Sequence, residues 1–235
     1  MVRASALLGL AAAVGLYYAT VSHLHAASLW WEVAWLAFVV IPAVFALVGL
    51  ALPLASLPVV QLLGAAVGSL GLTLLFGALS WHIPANFGKL ATLTFLAWAF
   101  LWLFEELSWV VIVACLIPWV DAYSVWRGPT KAIVNHHAAV FSTFSFIFPL
   151  PDGNTHLGLP DLYFYALFLA AAARFGLRVL PTWFALTFSF GATMALAIWW
   201  GASGLPALPL LSVGFLAPNA DLLWARLRTT SVRAA

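Results

Sequence analysis

Charge is scarce in this chain. Its 235 residues include 9 Lys and Arg and 7 Asp and Glu, 7% of the total, against 65% hydrophobic residues. A soluble domain has no use for so much apolar surface. The net charge is only +2, and no basic run with interleaved aromatics occurs, so there is no footprint for nucleic acid. A single cysteine, Cys115, excludes a disulfide framework and a CxxC site. Its place in an apolar run predicts a buried thiol that fills space. No HExxH is present and no Ser–His pair shares an apolar stretch, which disfavours zinc and serine peptidase chemistry. Linkers, internal repeats and low-complexity tracts are also lacking, so one domain over 1–235 is expected.

What the chain does have is apolar length. A helix of about 20 residues crosses a hydrocarbon core of ~30 Å. Runs of that kind predict spans at 4–21, 28–50, 57–79, 88–104, 106–125, 157–175, 181–200 and 205–225. The fold class expected is all-α, a polytopic membrane bundle of eight helices. The count becomes nine if Pro42, Pro53 and Pro58 divide the second and third runs differently. Residues 1–104 form the N-terminal helices and 105–225 carry the polar features. Trp30, Trp31, Trp81, Trp199 and Trp200 mark segment ends, as in aromatic belts at the interface. Arg3 before an apolar run would also suit a signal peptide, but no clean cleavage site follows, so a retained first span is expected.

With eight spans, Arg3, Arg174, Arg178, Arg226, Arg228 and Arg233 fall on one side, and Lys89, Arg127 and Lys131 on the other. The positive-inside rule then puts both termini in the cytoplasm and the long 126–156 loop outside. Within that loop, residues 141–148 are rich in aromatics interleaved with Ser and Thr and predict a strand that stops at Pro149. Such a strand can pair within its own loop, accept an extended peptide by strand addition, or rest on the bilayer as an apolar loop.

Two acidic residues lie inside spans, Asp121 and Asp161. An ionised carboxylate costs roughly 3 kcal/mol at the bilayer centre on insertion scales, which makes each one a functional-site hypothesis. Asp121 lies about one and a half turns before the long loop, and Asp161 about one turn after it. The two helices are antiparallel neighbours, so both carboxyls are expected at one shallow depth. The last span opens there too, with Leu205-Pro-Ala-Leu-Pro209. Its prolines disfavour regular helix, and irregular backbone at membrane depth is tolerated beside a wet cavity. Two adjacent carboxyls cannot both ionise easily and share a proton, which suits aspartic-protease chemistry. The same pair would also suit a proton relay in a transporter, or a structural role in which each carboxyl bonds a neighbouring helix.

Three segments together carry a resemblance. Trp119-Val-Asp121-Ala-Tyr-Ser-Val-Trp-Arg-Gly-Pro-Thr-Lys131, Leu157-Gly-Leu-Pro-Asp161-Leu-Tyr-Phe-Tyr165 and Leu205-Pro-Ala-Leu-Pro209 resemble, in order, the two catalytic segments and the Pro-Ala-Leu motif of the presenilin and signal peptide peptidase family of intramembrane aspartyl proteases. The likeness covers 105–225 and looks like that of a prokaryotic presenilin homologue. Val120 stands where the family has Tyr, and Pro160 where it has Gly. The charge bias matches the signal peptide peptidase orientation, while the motif wording is closer to presenilin. The resemblance implies that Asp121 and Asp161 are a catalytic dyad using water, with no cofactor and no metal. It implies that Pro206, Ala207 and Leu208 shape the active site, and that an unwound substrate helix adds as a strand before Asp161. Gly158, Leu159 and Pro160, with Phe144 and Phe148 of the strand, are the substrate contacts expected on that basis. The partners implied are transmembrane-helix substrates and the lipid bilayer; accessory subunits are left unspecified.

Other polar residues have simpler readings. His136, His137, Asp152 and His156 share the long loop, but adjacent histidines fit one tetrahedral ion poorly, so no metal is expected. His23, His25, His82 and Glu32 read as interfacial, Glu105 and Glu106 as solvated, and Arg174 and Arg178 as snorkelling. Tyr123 and Ser124 are placed to hydrogen-bond near Asp121.

Overall fold

The computed structural model describes residues 2–26, 28–127, 145–200 and 205–233, with side chains to 226. The chain is a helical bundle with one β-hairpin. Its helices are α1 (Val2–Thr20), α2 (Leu29–Trp35), α3 (Ile41–Ala51), α4 (Val59–Ala78), α5 (His82–Leu101) and α6 (Leu107–Trp126), then α7 (Leu159–Arg174), α8 (Val179–Trp199), α9 (Leu208–Leu216) and α10 (Ala220–Arg233). The strands β1 (Ser145–Leu150) and β2 (Gly153–Gly158) lie between α6 and α7.

Six helical stretches among the described residues are long and apolar enough to cross a membrane: Val2–His23, Leu29–Ser56, Val59–Ala78, Leu107–Trp126, Val179–Trp199 and Leu208–Arg226. That is fewer than the eight expected. The other two predicted spans correspond to α5 and α7. α5 carries Asn86 and Lys89 in its first half, and α7 is only 16 residues long. α7 is the central helix: Leu162 and every residue from Tyr165 to Ala172 are buried. A helix that is apolar on every face belongs inside a bundle. Its alanine run keeps it slim, while Tyr165 packs on Phe45 and Phe168 stacks on Phe215.

The prolines of the second and third runs bend the chain and create no extra span. A π-turn, Leu36–Val40, joins α2 to α3 just before Pro42. Proline offers no N–H and crowds the carbonyl four residues back, and a wider turn accommodates both defects. Pro53 sits in the 3₁₀ turn Leu52–Ser56 that ends this span, and Pro58 caps α4. α4 then packs closely on α5 at Gly88, where a Cβ would lie 2.3 Å from Thr73 Oγ1. Later, a 3₁₀ turn with Pro218 separates α9 from α10. Asn219 bridges this break: its amide donates to Thr182 and to the Phe215 carbonyl, and its Oδ1 accepts from Arg178 N–H.

The predicted strand runs further than expected at its end. Its start at 141–144, including Phe144, lies outside the described residues, and pairing runs past Pro149 to Leu150. β1 pairs antiparallel with β2, from Ser145 opposite Gly158 to Leu150 opposite Gly153. Pro149 fits because its carbonyl, and with it the missing N–H, faces the outer edge, where Tyr17 OH donates to that carbonyl at 3.1 Å. Phe146 and Phe148 are fully buried beneath the hairpin, edge to face at 4.9 Å. Cys115 corrects the expectation of a buried filler: it is exposed on the outer face of α6, which buries only Val110 and Ala114.

Candidate active site

Asp121 projects from the last turns of α6 onto the start of α9. Its Oδ2 accepts the Leu208 N–H at 3.0 Å, and the Ala207 N–H also bonds the carboxyl. These amides are exposed by sequence. Ala207 is the N-cap of α9 and has no capping side chain, while Pro209 in the first turn has no N–H to offer. The helix start therefore takes its acceptor from α6. The positive end of a helix favours a carboxylate, so this contact partly offsets the cost of an acid inside the bundle. Ala207 and Leu208 are buried.

Asp161 stands at another helix start. Gly158 is the N-cap of α7, so Leu159, Pro160 and Asp161 form its first turn. The carboxyl reaches back to the Gly158 N–H, the reciprocal half of a capping box. A Cβ on Gly158 would lie 2.9 Å from Asp161 Oδ2, so glycine is what lets the carboxyl fold back. Pro160 is well placed, since a first-turn residue has no intrahelical partner for its N–H and the ring's fixed φ is already helical. Replacing Pro160 by Gly is therefore expected to lower stability by about 1 kcal/mol in thermal denaturation, without improving any activity of the Asp pair. A tenfold gain in that activity would mean that Pro160 holds Asp161 off its neighbour.

The two carboxyls lie within electrostatic reach of each other. Both are half-buried, and the Asp121 charge acts directly on Asp161. Two helix starts, those of α7 and α9, converge on the pair. Pro206 is half-buried beside Ala207, and Leu159 is half-buried beside Gly158. Phe148 is fully buried. Tyr123 is exposed.

The hairpin that leads into Asp161 is held by residues whose role no motif announces. Asn86 of α5 grips the outer edge of β1 as a neighbouring strand would: its Nδ2 donates to the Ile147 carbonyl at 2.8 Å and its Oδ1 accepts the Ile147 N–H at 2.9 Å. Tyr18 OH donates to the same carbonyl, and Lys89 Nζ donates to the Ser145 carbonyl. Glu32 is buried, and its Oε1 accepts the Asp152 N–H at the hairpin turn. His156 Nδ1 lies 2.8 Å from Ser145 Oγ. Burial, helped by the nearby Lys89 charge, holds the His156 imidazole below its ordinary pKa. The free sequence signal for the hairpin was its turn, Pro151-Asp152-Gly153.

His136 and His137 lie outside the described residues. No group of three or more His, Cys, Asp or Glu side chains forms a metal site among the described residues. His23, His25, His82, Glu105 and Glu106 are exposed. Compared with known proteins, the chain matches no protein-family model, no curated protein and no solved structure.

Proposed function

We propose that the chain is an intramembrane aspartyl endopeptidase of the presenilin and signal peptide peptidase type, acting in the cell membrane on transmembrane helices of other proteins. The observation that carries this reading is that the Asp121 charge acts on Asp161 while amides of two helix starts hold the two carboxyls, one start being led into by a two-stranded hairpin. One carboxyl takes a proton from water, which attacks the peptide carbonyl. The other donates to the carbonyl oxygen as charge develops there. The proton they share lets the pair switch roles when the amine leaves. Water and two carboxyls suffice, so the reaction needs no cofactor.

A helical substrate has its carbonyls hydrogen-bonded and must unwind first. β2 has no strand on its far side among the described residues, and it ends three residues before Asp161. An extended segment laid along β2 would pass Gly158, Leu159 and Pro160 and reach the carboxyls opposite Pro206, Ala207 and Leu208. Phe148 would support that platform from below. A proton-coupled transporter would use the same acids but gives no reason for a strand beside them.

The test is a transmembrane peptide with a secondary alcohol in place of one backbone carbonyl, which mimics the tetrahedral intermediate. It is expected to bind the purified chain at least about 100-fold tighter than the parent peptide, and to lose that advantage in Asp161→Asn. Equal binding of the two peptides, with no cleavage of the parent, would overturn the proposal.

A further inference from the structure

The end of the bundle away from the aspartates holds a cavity of about 700 Å³. It lies about 20 Å along α7 from Asp161, at 1.5 Å rise per residue over the helix. Helix ends build it: the first turn of α1 at Arg3, the 3₁₀ turn after α3 at Leu52 and Ser56, the end of α5 at Leu101, the end of α7 at Arg174 and the start of α8 at Val179. A cavity assembled from helix ends lies at the level of a membrane surface. Its volume falls within the ~300–1,000 Å³ typical of small-molecule sites.

The lining is divided in character. Leu50, Leu52, Trp102, Ala170 and Val179 supply apolar walls, and the charged side chains on it are two guanidinium groups, Arg3 and Arg174. Neither arginine makes a salt bridge with a carboxylate among the described residues. Arg174 gives one nitrogen, Nη1, to the Leu101 carbonyl and stacks over Trp102. A guanidinium carries five N–H donors, so one carbonyl leaves most of them for another acceptor. Arg178, by contrast, is fully engaged four residues on: it grips Asp221 with two bonds of 2.8 and 2.7 Å. The fold thus neutralises one arginine of this pair internally and leaves its neighbour to face the cavity.

We propose that this cavity binds one anionic phospholipid from the leaflet on the arginine-rich side. The phosphate would lie between Arg3 and Arg174, and the start of an acyl chain would run along the Leu50, Trp102 and Val179 walls. A free phosphate would leave those walls bare and would be attracted only by two exposed cations. A zwitterionic lipid would bring its own cation against the arginines.

Native mass spectrometry of the purified full chain, supplied with phosphatidylglycerol or phosphatidylcholine of the same acyl length, tests this. One phosphatidylglycerol is expected to be retained in preference to phosphatidylcholine. Each of Arg3→Gln and Arg174→Gln is expected to weaken retention about fivefold, and the pair about thirtyfold. Ala173→Leu, which narrows the cavity without removing charge, is expected to weaken both lipids. Arg127→Gln, at the opposite end of the bundle, is expected to change nothing. Equal retention of the two lipids overturns the proposal, as does an unchanged phosphatidylglycerol signal in the double variant. Displacement of phosphatidylglycerol by inorganic phosphate at equal concentration would identify a simple anion site instead. Because Arg174 also holds Leu101, Arg174→Lys serves as the folding control: it keeps the charge and is expected to keep most of the preference.

Discussion

Asp121→Asn and Asp161→Asn are each expected to reduce cleavage of a transmembrane peptide by a factor of 1,000 or so, the range lost when a positioned acid or base is removed. The substitution isolates chemistry from structure. Asparagine keeps a carbonyl oxygen where Oδ2 of Asp121 accepts the Leu208 N–H, and the same holds for Asp161 and the Gly158 N–H. Both helix starts therefore keep their acceptor, and thermal stability should stay close to that of the parent chain. What asparagine cannot do is take up or release a proton. The double variant should be no slower than either single one, since the two groups work as one unit. Asp152→Asn, in the exposed hairpin turn, should cleave at the parent rate. Retention of more than a tenth of the parent rate in either single variant would remove that residue from the chemistry.

That the two acids come within electrostatic reach of each other was legible, because their placement on either side of one loop follows from counting residues along apolar runs. The grip on them was not. Backbone N–H groups carry no residue signature, so the role of Ala207 and Leu208 toward Asp121 emerges only once Pro206 and Pro209 have set the start of α9. The same limit explains the misplaced elements. β2, Gly-Asn-Thr-His-Leu-Gly, lacks the β-branched and aromatic density that marks β1, and its last residues merge with the apolar run of α7. Glu32 reads as interfacial from its tryptophan neighbours, yet its partner is the amide of Asp152, 120 residues away. Cys115 reads as buried because α6 is apolar all round, and in a membrane an apolar face can point outward as readily as inward. α5 and α7 fall outside the six spans for other reasons: α5 carries Asn86 and Lys89 in its first half, and α7 is only 16 residues long.

Asn86→Ala should loosen the hairpin while the bundle remains assembled. Asn86 is buried on α5, and alanine would remove both of its bonds to Ile147. Tyr18 OH would still serve the Ile147 carbonyl, but the Ile147 N–H would lose the acceptor it has in Asn86. Losing the bonds and stranding a buried donor together cost roughly 2–4 kcal/mol. That cost falls on β1 and, through the paired register, on β2 and the first turn of α7. Helix α7 itself is fixed along its length by the core and should not move. Hydrogen exchange should therefore accelerate by about 30-fold or more in the β1 amides, with the amides of 165–172 unchanged. Peptide cleavage should fall with it, because Asp161 is positioned by a turn whose preceding strand no longer has a fixed edge. Asn86→Asp separates packing from bonding. It keeps the acceptor for the Ile147 N–H and loses the donor to a carbonyl that Tyr18 still serves, so it should protect β1 better than alanine does. Unchanged exchange in β1 with Asn86→Ala would mean that the hairpin is held by Phe146 and Phe148 alone, and that the α5 side chain contributes nothing to placing the acid.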